Sequence, residues 1–126
     1  MIQITPHIKI FLCPESVDFR KGIDGLAGVC RRQLDKDPFS GSMFIFRNRR
    51  RTALKILLYD GQGFWLFIKR LSKGCFQWWP DVRKARKVED HSKSVLTVSA
   101  AELHLLLWNG DPSRARIGSE WRKINA

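Results

Sequence analysis

The sequence predicts a single α+β domain, in which an antiparallel β-meander packs with a long N-terminal helix and a shorter C-terminal helix. The length of 126 residues is that of one ordinary domain. Short runs rich in β-branched and aromatic residues alternate with Gly-, Pro- and Asp-rich turns, and two stretches carry apolar residues at helical spacing. We assign residues 1–112 to the domain and residues 113–126 to a polar, loosely ordered C-terminal arm.

The first strand is predicted over residues 8–12 and is stopped by Pro14. Ser16 is placed to cap a helix whose first turn holds Asp18, an acid that suits the helix dipole. The helix is predicted over residues 17–34, because one stripe of apolar side chains recurs at helical spacing: Phe19, Ile23, Leu26, Cys30 and Leu34.

The middle of the chain predicts strands separated by turn residues. A break at residues 37–41 precedes them, and the run from Asp60 to Gly63 is a strong hairpin signal. The predicted strands are residues 43–46, 54–59, 64–68, 76–79 and 95–98. Ser99 and Glu102 then fit a capping box, which predicts a helix over residues 100–108 that ends at Gly110.

The charge balance indicates a polyanionic partner, with nucleic acid ahead of acidic lipid. Lys and Arg number 23 against 12 Asp and Glu, for a net charge of +11. The excess is concentrated in three blocks, for which an ordinary solvated surface is the alternative: Arg47, Arg49, Arg50 and Arg51; Lys69, Arg70 and Lys73; and Arg83, Lys84, Arg86 and Lys87.

Several classes of protein are excluded. The longest apolar run, residues 64–68, is far shorter than the roughly 20 residues of a membrane-spanning helix. The N-terminus lacks the pattern of a secretory signal. Cys13, Cys30 and Cys75 are odd in number and show no C-x-x-C spacing, so we expect reduced cytoplasmic thiols rather than disulfides or a zinc site.

Six segments, in this order and at these separations, closely resemble the TnpB accessory proteins of IS-66-type bacterial insertion sequences. They are residues 18–26 (DFRKGIDGL), 37–41 (DPFSG), 44–51 (FIFRNRRR), 55–57 (KIL), 59–66 (YDGQGFWL) and 69–71 (KRL). The resemblance covers about residues 8–80, with a weaker echo at 96–107. This sequence departs from the family in three places. Cys75 stands where the family often has a basic residue, Tyr59 stands where Trp is common, and the C-terminal tail is longer than usual.

The resemblance implies a narrow role. Such proteins are encoded beside a separate, larger transposase and assist transposition, with no catalytic activity firmly assigned to them. We therefore expect a bacterial cytoplasmic, nucleoid-associated protein whose partners are DNA, contacted through its phosphates near the element ends, and the transposase. A protein–protein adaptor that meets an acidic transposase segment without touching DNA is the alternative.

The sequence offers no recognisable catalytic site. A two-metal nuclease needs a trio of carboxylates, and Asp24, Asp60 and Glu102 are the imaginable set. Each has a simpler explanation, as a solvated helix residue, a turn residue and a capping residue. We assign no catalytic residue, metal or cofactor, and a metal-dependent nuclease remains the distant alternative.

Two further features extend the candidate nucleic-acid site. The sheet face predicted to point away from the N-terminal helix interleaves Tyr59, Trp65 and Phe67 with Lys55 and Lys69, a pattern that stacks unpaired bases in some proteins. Coverage by the C-terminal helix is the favoured alternative, and a homodimer through this face is another. Glycines at positions 22, 25 and 28 predict a flat helical strip near Lys21 and Arg32, open to a phosphate backbone or packed under a loop.

The sharpest expectation concerns the loop between the first two strands of the meander. Arg47, Arg49, Arg50 and Arg51 are predicted to occupy one protruding tip, because the chain must reverse there. Guanidinium groups suit phosphate oxygens, since their planar fork bridges two of them.

Overall fold

A computed structural model describes residues 8–79 and 95–110 of the chain. These residues form an α+β fold with a mixed sheet between two helices. In chain order the elements are β1 (Ile10–Leu12), α1 (Ile23–Arg32), β2 (Met43–Arg47), β3 (Ala53–Tyr59), β4 (Phe64–Arg70), β5 (Leu96–Val98) and α2 (Ala100–Leu107). The third basic block and the proposed C-terminal arm, residues 113–126, lie outside the described residues.

The strands lie in the order β4-β3-β2-β1-β5, which is more than a meander. Strands β2, β3 and β4 are antiparallel neighbours, as predicted. Strand β1, however, pairs parallel with β2, and β5 pairs antiparallel with β1. A parallel pair needs a long crossover, and α1 lies in the connection between β1 and β2. The hydrophobic pattern predicted the strands but not this pairing.

The central strands β2 and β3 are buried on both faces, which explains why they are almost continuously apolar. Helix α1 packs on one face, where Leu26 and Cys30 meet Phe44 and Leu57. Helix α2 packs on the other face, where Leu103 joins a cluster with residues from β1, β2 and β3. We call these two faces the α1 face and the α2 face.

Helix α1 is shorter than predicted, so the expected helix over residues 17–34 is wrong. It begins after Gly22, and Ser16 does not cap it. Asp18 instead accepts a hydrogen bond from the backbone N–H of Arg20 at 2.9 Å and binds its guanidinium. The Lys55 ammonium binds two carbonyls of this segment. These contacts hold residues 18–21 out of the helix.

The hairpin between β3 and β4 forms as predicted. The Asp60 carboxylate accepts hydrogen bonds from the backbone N–H groups of Gln62 and Gly63, both at 2.8 Å, and Gly61 has a positive φ of 95°. The turn residues thus close the loop locally, which is why the sequence identified it.

Residues 76–79 do not form the predicted strand. Phe76 and Trp79 are instead anchors of a loop packed on the α2 face. The Trp79 indole donates to the Cys13 carbonyl at 2.9 Å, and the Gln77 N–H donates to the Asn109 side chain at 2.8 Å. The aromatic residues of the segment 76–79 therefore correctly indicated that it is buried, but not whether it pairs as a β-strand.

Helix α2 matches its prediction closely. The Ser99 hydroxyl accepts from the Glu102 N–H at 3.1 Å, and the Glu102 carboxylate accepts from the Ser99 N–H at 2.8 Å. The chain leaves the helix through Asn109, whose φ is 61°. In the described ranges 8–79 and 95–110, neither helix has the length and apolarity needed to cross a membrane.

Candidate nucleic-acid interface

The turn between β2 and β3 is organised by the side chain of Asn48. Its amide oxygen accepts from the N–H groups of Thr52 at 2.9 Å and Ala53 at 3.2 Å, and its amide nitrogen donates to the Thr52 hydroxyl at 2.8 Å. Arg51 adopts a left-handed φ of 59°. The turn is thereby fixed, and it leaves Arg49 and Arg50 exposed and Arg51 half-buried.

The loop that follows β4 is joined to this turn. Arg70, the last residue of β4, pairs with Ala53. The Leu71 N–H donates to the Thr52 carbonyl at 2.9 Å, and the Phe76 N–H donates to the Arg51 carbonyl at 2.7 Å. Cations from the first two basic blocks therefore share one end of the sheet, which we call the cationic end: Arg49, Arg50, Arg51, Arg70 and Lys73.

The cationic end has no acidic partner within the described residues. Across residues 8–79 and 95–110, the one ion pair is between Asp18 and Arg20, at 2.7 Å. Three acidic residues lie at the opposite end of the sheet: Asp35 and Asp37 between α1 and β2, and Asp60 in the β3–β4 turn. Glu15 and Asp18 lie on the cationic side, because the Val17 N–H between them donates to the Arg47 carbonyl. The five cations of the cationic end outnumber these two acids, so positive charge is still concentrated there.

Arg47 does not belong to the predicted tip. It ends β2 half-buried, and its guanidinium donates to the carbonyls of Asn48 at 3.2 Å and Pro14 at 3.4 Å. It also lies 5.8 Å from the Trp79 ring centre. Burial lowers the pKa of this guanidinium below its ordinary value, and the nearby Arg51 lowers it further. β2 continues one residue beyond its predicted end and therefore includes Arg47. The Arg47 side chain thus makes contacts that stabilise the fold instead of projecting from the turn.

Lys69 is also separated from its block. Alternation along β4 places it on the α2 face, whereas Arg70 points to the α1 side. Its ammonium donates to the carbonyl of Leu107 and lies 5.3 Å from the centre of the Trp108 ring. Lys69 therefore ties the outer strand to α2 rather than standing free beside Arg70 and Lys73.

The five residues predicted to share one stacking face do not all lie on the same face of the sheet. Tyr59 pairs with Phe64 in the hairpin, which puts Tyr59 on the opposite face from Trp65 and Phe67. Lys55 also lies on the α1 face, and its side chain is only 6% exposed. Trp65 and Phe67 do share the α2 face, 46% and 41% exposed, with rings stacked on each other at 5.9 Å.

The predicted glycine strip is open only at Gly22, the residue that precedes α1, where an added Cβ would meet nothing within 4 Å. Gly25 lies under the side chain of Lys21, and a Cβ at Gly28 would stand 2.7 Å from the Arg32 guanidinium. Lys21 and Arg32 lie at opposite ends of α1, so the structure does not bring them together. Lys21 and Arg32 themselves fill the space that the sequence predicted for a phosphate backbone or a neighbouring loop.

Four predicted cations cannot be placed. Arg83, Lys84, Arg86 and Lys87 lie outside the described residues.

The three carboxylates considered for a metal site do not converge. Asp24 lies in the first turn of α1, Asp60 in the β3–β4 turn and Glu102 in the α2 cap. No three His, Cys, Asp or Glu residues among the described ones could hold one metal ion.

Sequence reasoning missed the roles of Asn48 in the turn and of Lys55 as a buried donor. An Asn followed four residues later by Thr, between two strands, is a turn signal through side-chain hydrogen bonds to the backbone. A lysine inside an apolar strand signals a buried ammonium that must find acceptors.

A family model described as "IS66 Orf2 like protein" matches residues 8–116. Among curated proteins, the uncharacterized protein y4hO of Sinorhizobium fredii is 35% identical over 78 residues, 62% of this chain and 68% of that protein. The uncharacterized protein y4jC of the same organism is 36% identical over 76 residues, 60% of this chain and 65% of that protein. The matches thus span about two thirds of these relatives. No solved structure matches the chain.

Proposed function

This chain belongs to the IS66 Orf2-like family of insertion-sequence accessory proteins, and we propose that it assists transposition by binding DNA phosphates through its cationic end. The observation that carries the proposal is the convergence of cations from two separate sequence blocks on one ordered end of the sheet. The transposase of the same element is the proposed protein partner, and the catalytic steps of transposition belong to it.

Phosphate is the ligand that suits this surface best. Arg49 and Arg50 project from a turn of fixed shape, so little order remains to be imposed on its backbone when an anion binds. Guanidinium groups bridge phosphate oxygens, and they meet no carboxylate within the described residues that would compete. Such contacts position a protein on DNA without reading bases, so we expect similar affinity for unrelated sequences.

Fluorescence anisotropy with labelled duplex and single-stranded oligonucleotides, at several salt concentrations, tests the proposal. We expect affinity to fall as salt rises, because each phosphate contact releases counterions. The variant Arg49→Gln/Arg50→Gln/Arg51→Gln is expected to flatten the slope of log affinity against log salt by roughly 2 to 3 on duplex DNA, at about 0.9 per contact.

A matched control removes the same charge from the other end of the sheet. Lys9, Arg31 and Lys36 lie there, at the start of β1 and around the end of α1. The variant Lys9→Gln/Arg31→Gln/Lys36→Gln is expected to keep the wild-type slope. Equal flattening by both variants would show that net charge alone governs binding and would contradict a localised site. A wild-type protein that ignores DNA at low salt, yet co-purifies with the transposase after nuclease treatment, would be an adaptor instead.

The proposed accessory role requires no hydrolysis by this chain. Supercoiled plasmid incubated with the protein and Mg²⁺ or Mn²⁺ is therefore expected to remain intact. Nicking that disappears in the Asp60→Asn variant would instead support a metal-dependent nuclease.

A further inference from the structure

The outer edge of β4 is unpaired within the described part of the sheet, where β4 is the terminal strand. Two hydrogen bonds flank its ladder with β3: the Asp60 N–H donates to the Gly63 carbonyl at 3.0 Å, and the Leu71 N–H donates to the Thr52 carbonyl at 2.9 Å. In an antiparallel ladder, hydrogen-bonded pairs alternate with non-bonded pairs. The odd-numbered residues of β4 therefore bond to β3, and the even-numbered ones point their N–H and C=O groups outward: Phe64, Leu66, Ile68 and Arg70.

This edge has none of the usual protection against pairing along its apolar part. The register with β3 runs from Phe64 to Arg70 without a bulge, and the strand contains no proline. Trp65, Phe67 and Ile68 are 46%, 41% and 61% exposed, so apolar side chains emerge on both faces of the edge. An unpaired strand with an uninterrupted register and a mostly apolar sequence is a template for another strand.

We propose that a second copy of this chain pairs with this edge, antiparallel, about a two-fold axis at Phe67, so that two sheets join into one. The inference is independent of DNA binding. An antiparallel register centred on Phe67 uses the whole strand, and it places Leu66 opposite Ile68 of the second copy. Both residues carry outward-pointing backbone groups, so this register satisfies the hydrogen-bond alternation.

The side chains are self-complementary in the same register. Phe67 faces its own copy, and Trp65 faces Lys69 of the second copy, both in non-hydrogen-bonded pairs where side chains approach most closely. An aromatic pair lies at the axis, with the Trp65 ring opposite the aliphatic part of the Lys69 side chain on either side, while the Lys69 ammonium keeps its contacts with α2. This pattern, aromatic at one end of the strand and cationic at the other, favours a second copy over an unrelated strand.

Charge repulsion does not oppose this dimer. The cations of β4 lie at its C-terminal end, so antiparallel pairing sends the cationic ends of the two copies in opposite directions. Seven residues of strand separate them by roughly 20 Å at about 3.3 Å per residue. This distance exceeds the screening length of about 8 Å at physiological salt.

Light scattering coupled to size exclusion, on nucleic-acid-free full-length protein, tests the proposal. We expect twice the chain mass of 14.7 kDa for the wild type. Phe67→Glu places two carboxylates at the axis and is expected to give a folded monomer, with circular dichroism checking the fold. Thr97→Glu puts the same charge on the opposite edge strand, β5, and is expected to remain a dimer. A wild-type monomer, or a dimer that Phe67→Glu leaves intact, overturns the proposal.

Disulfide trapping tests the register without relying on a disruptive variant. In a Cys75→Ser background, Phe67→Cys is expected to cross-link two chains under mild oxidation, because the two positions face each other at the axis. Arg70→Cys is expected not to cross-link, since its copy lies at the far end of the joined strands. Equal cross-linking at both positions, or none at position 67, overturns this register.

Discussion

The ammonium group of Lys55 donates a hydrogen bond to the backbone carbonyl of Phe19 at 2.9 Å and lies 4.8 Å from the centre of the Phe19 ring. A second hydrogen bond, also 2.9 Å, reaches the Lys21 carbonyl. One buried cation on β3 thus fastens the segment that leads into α1. Because both carbonyls precede the helix, Lys55 also helps to set where α1 begins.

Lys55→Met is expected to destabilise the protein by about 1–3 kcal/mol, because it leaves two acceptors without their donor. Urea unfolding followed by tryptophan fluorescence measures this change. Lys73→Met removes an exposed lysine and is the matched control, with an expected change within about 0.5 kcal/mol. Equal stability of the two variants would contradict a structural role for Lys55.

Arg47 is expected to behave unlike its neighbours in the same basic block. Arg47→Gln removes donors to the Pro14 and Asn48 carbonyls and a cation over Trp79, so we expect a loss of about 1–2 kcal/mol in the free energy of unfolding. The triple variant at positions 49–51 is expected to leave stability unchanged or slightly higher, since like charges at a turn repel. Thermal melts of both variants separate the two roles.

Asp60 makes stability depend on pH in the acid range. Hydrogen bonds from the N–H groups of Gly63 and Gln62 and from the Trp65 indole lower the pKa of this carboxyl below its ordinary value of 3.8. A lowered folded-state pKa stabilises the protein above the unfolded pKa, and the gain is lost as pH falls through the folded pKa. The wild type is thus expected to exceed Asp60→Asn in stability at pH 6, with the gap narrowing towards pH 3. Urea midpoints measure it, and a constant gap would contradict this linkage.

The three cysteines are expected to differ in reactivity. Cys75 is exposed, whereas burial raises the pKa of Cys13 to about 11 and that of Cys30 to about 12. A thiol reagent that needs the thiolate is expected to modify one group rapidly in the folded protein and the other two only on unfolding. Cys75→Ser should abolish the rapid phase. Rapid modification that persists in this variant would contradict the packing around Cys13 and Cys30.

Local chemistry made much of this fold predictable. The turn at residues 60–63 and the cap at Ser99 each involve residues within three positions of each other, so their signals lie in short stretches of sequence. The start of α1 was missed because it depends on Lys55, more than thirty residues away. The parallel pairing of β1 with β2 is likewise a long-range choice that no local pattern encodes.

The candidate site shows the same contrast between local signals, which the sequence reveals, and long-range contacts, which it does not. The two basic blocks were visible, but which cations stay free depends on tertiary contacts of Arg47 and Lys69. The placement of Tyr59 is different, because its signal was present: a loop of residues 60–63 pairs Tyr59 with Phe64, and alternation then excludes Tyr59 from the face of Trp65.

The register of β5 beside β1 also has a consequence for the order of folding. Ile10 pairs with Val98, so the α2 face is completed by elements that leave the ribosome long after β1 through β4. The hairpins of β2, β3 and β4 join strands that are close in sequence, so the entropic cost of closing their loops is small. The β1–β5 pair joins strands far apart in sequence, so its loop-closure cost is larger. Until α2 arrives, Ile10, Ile45 and Ile56 have no helix over them. A nascent chain of this protein therefore passes through a stage in which only the loop of Phe76 and Trp79 covers the α2 face, and at that stage it is most vulnerable to aggregation.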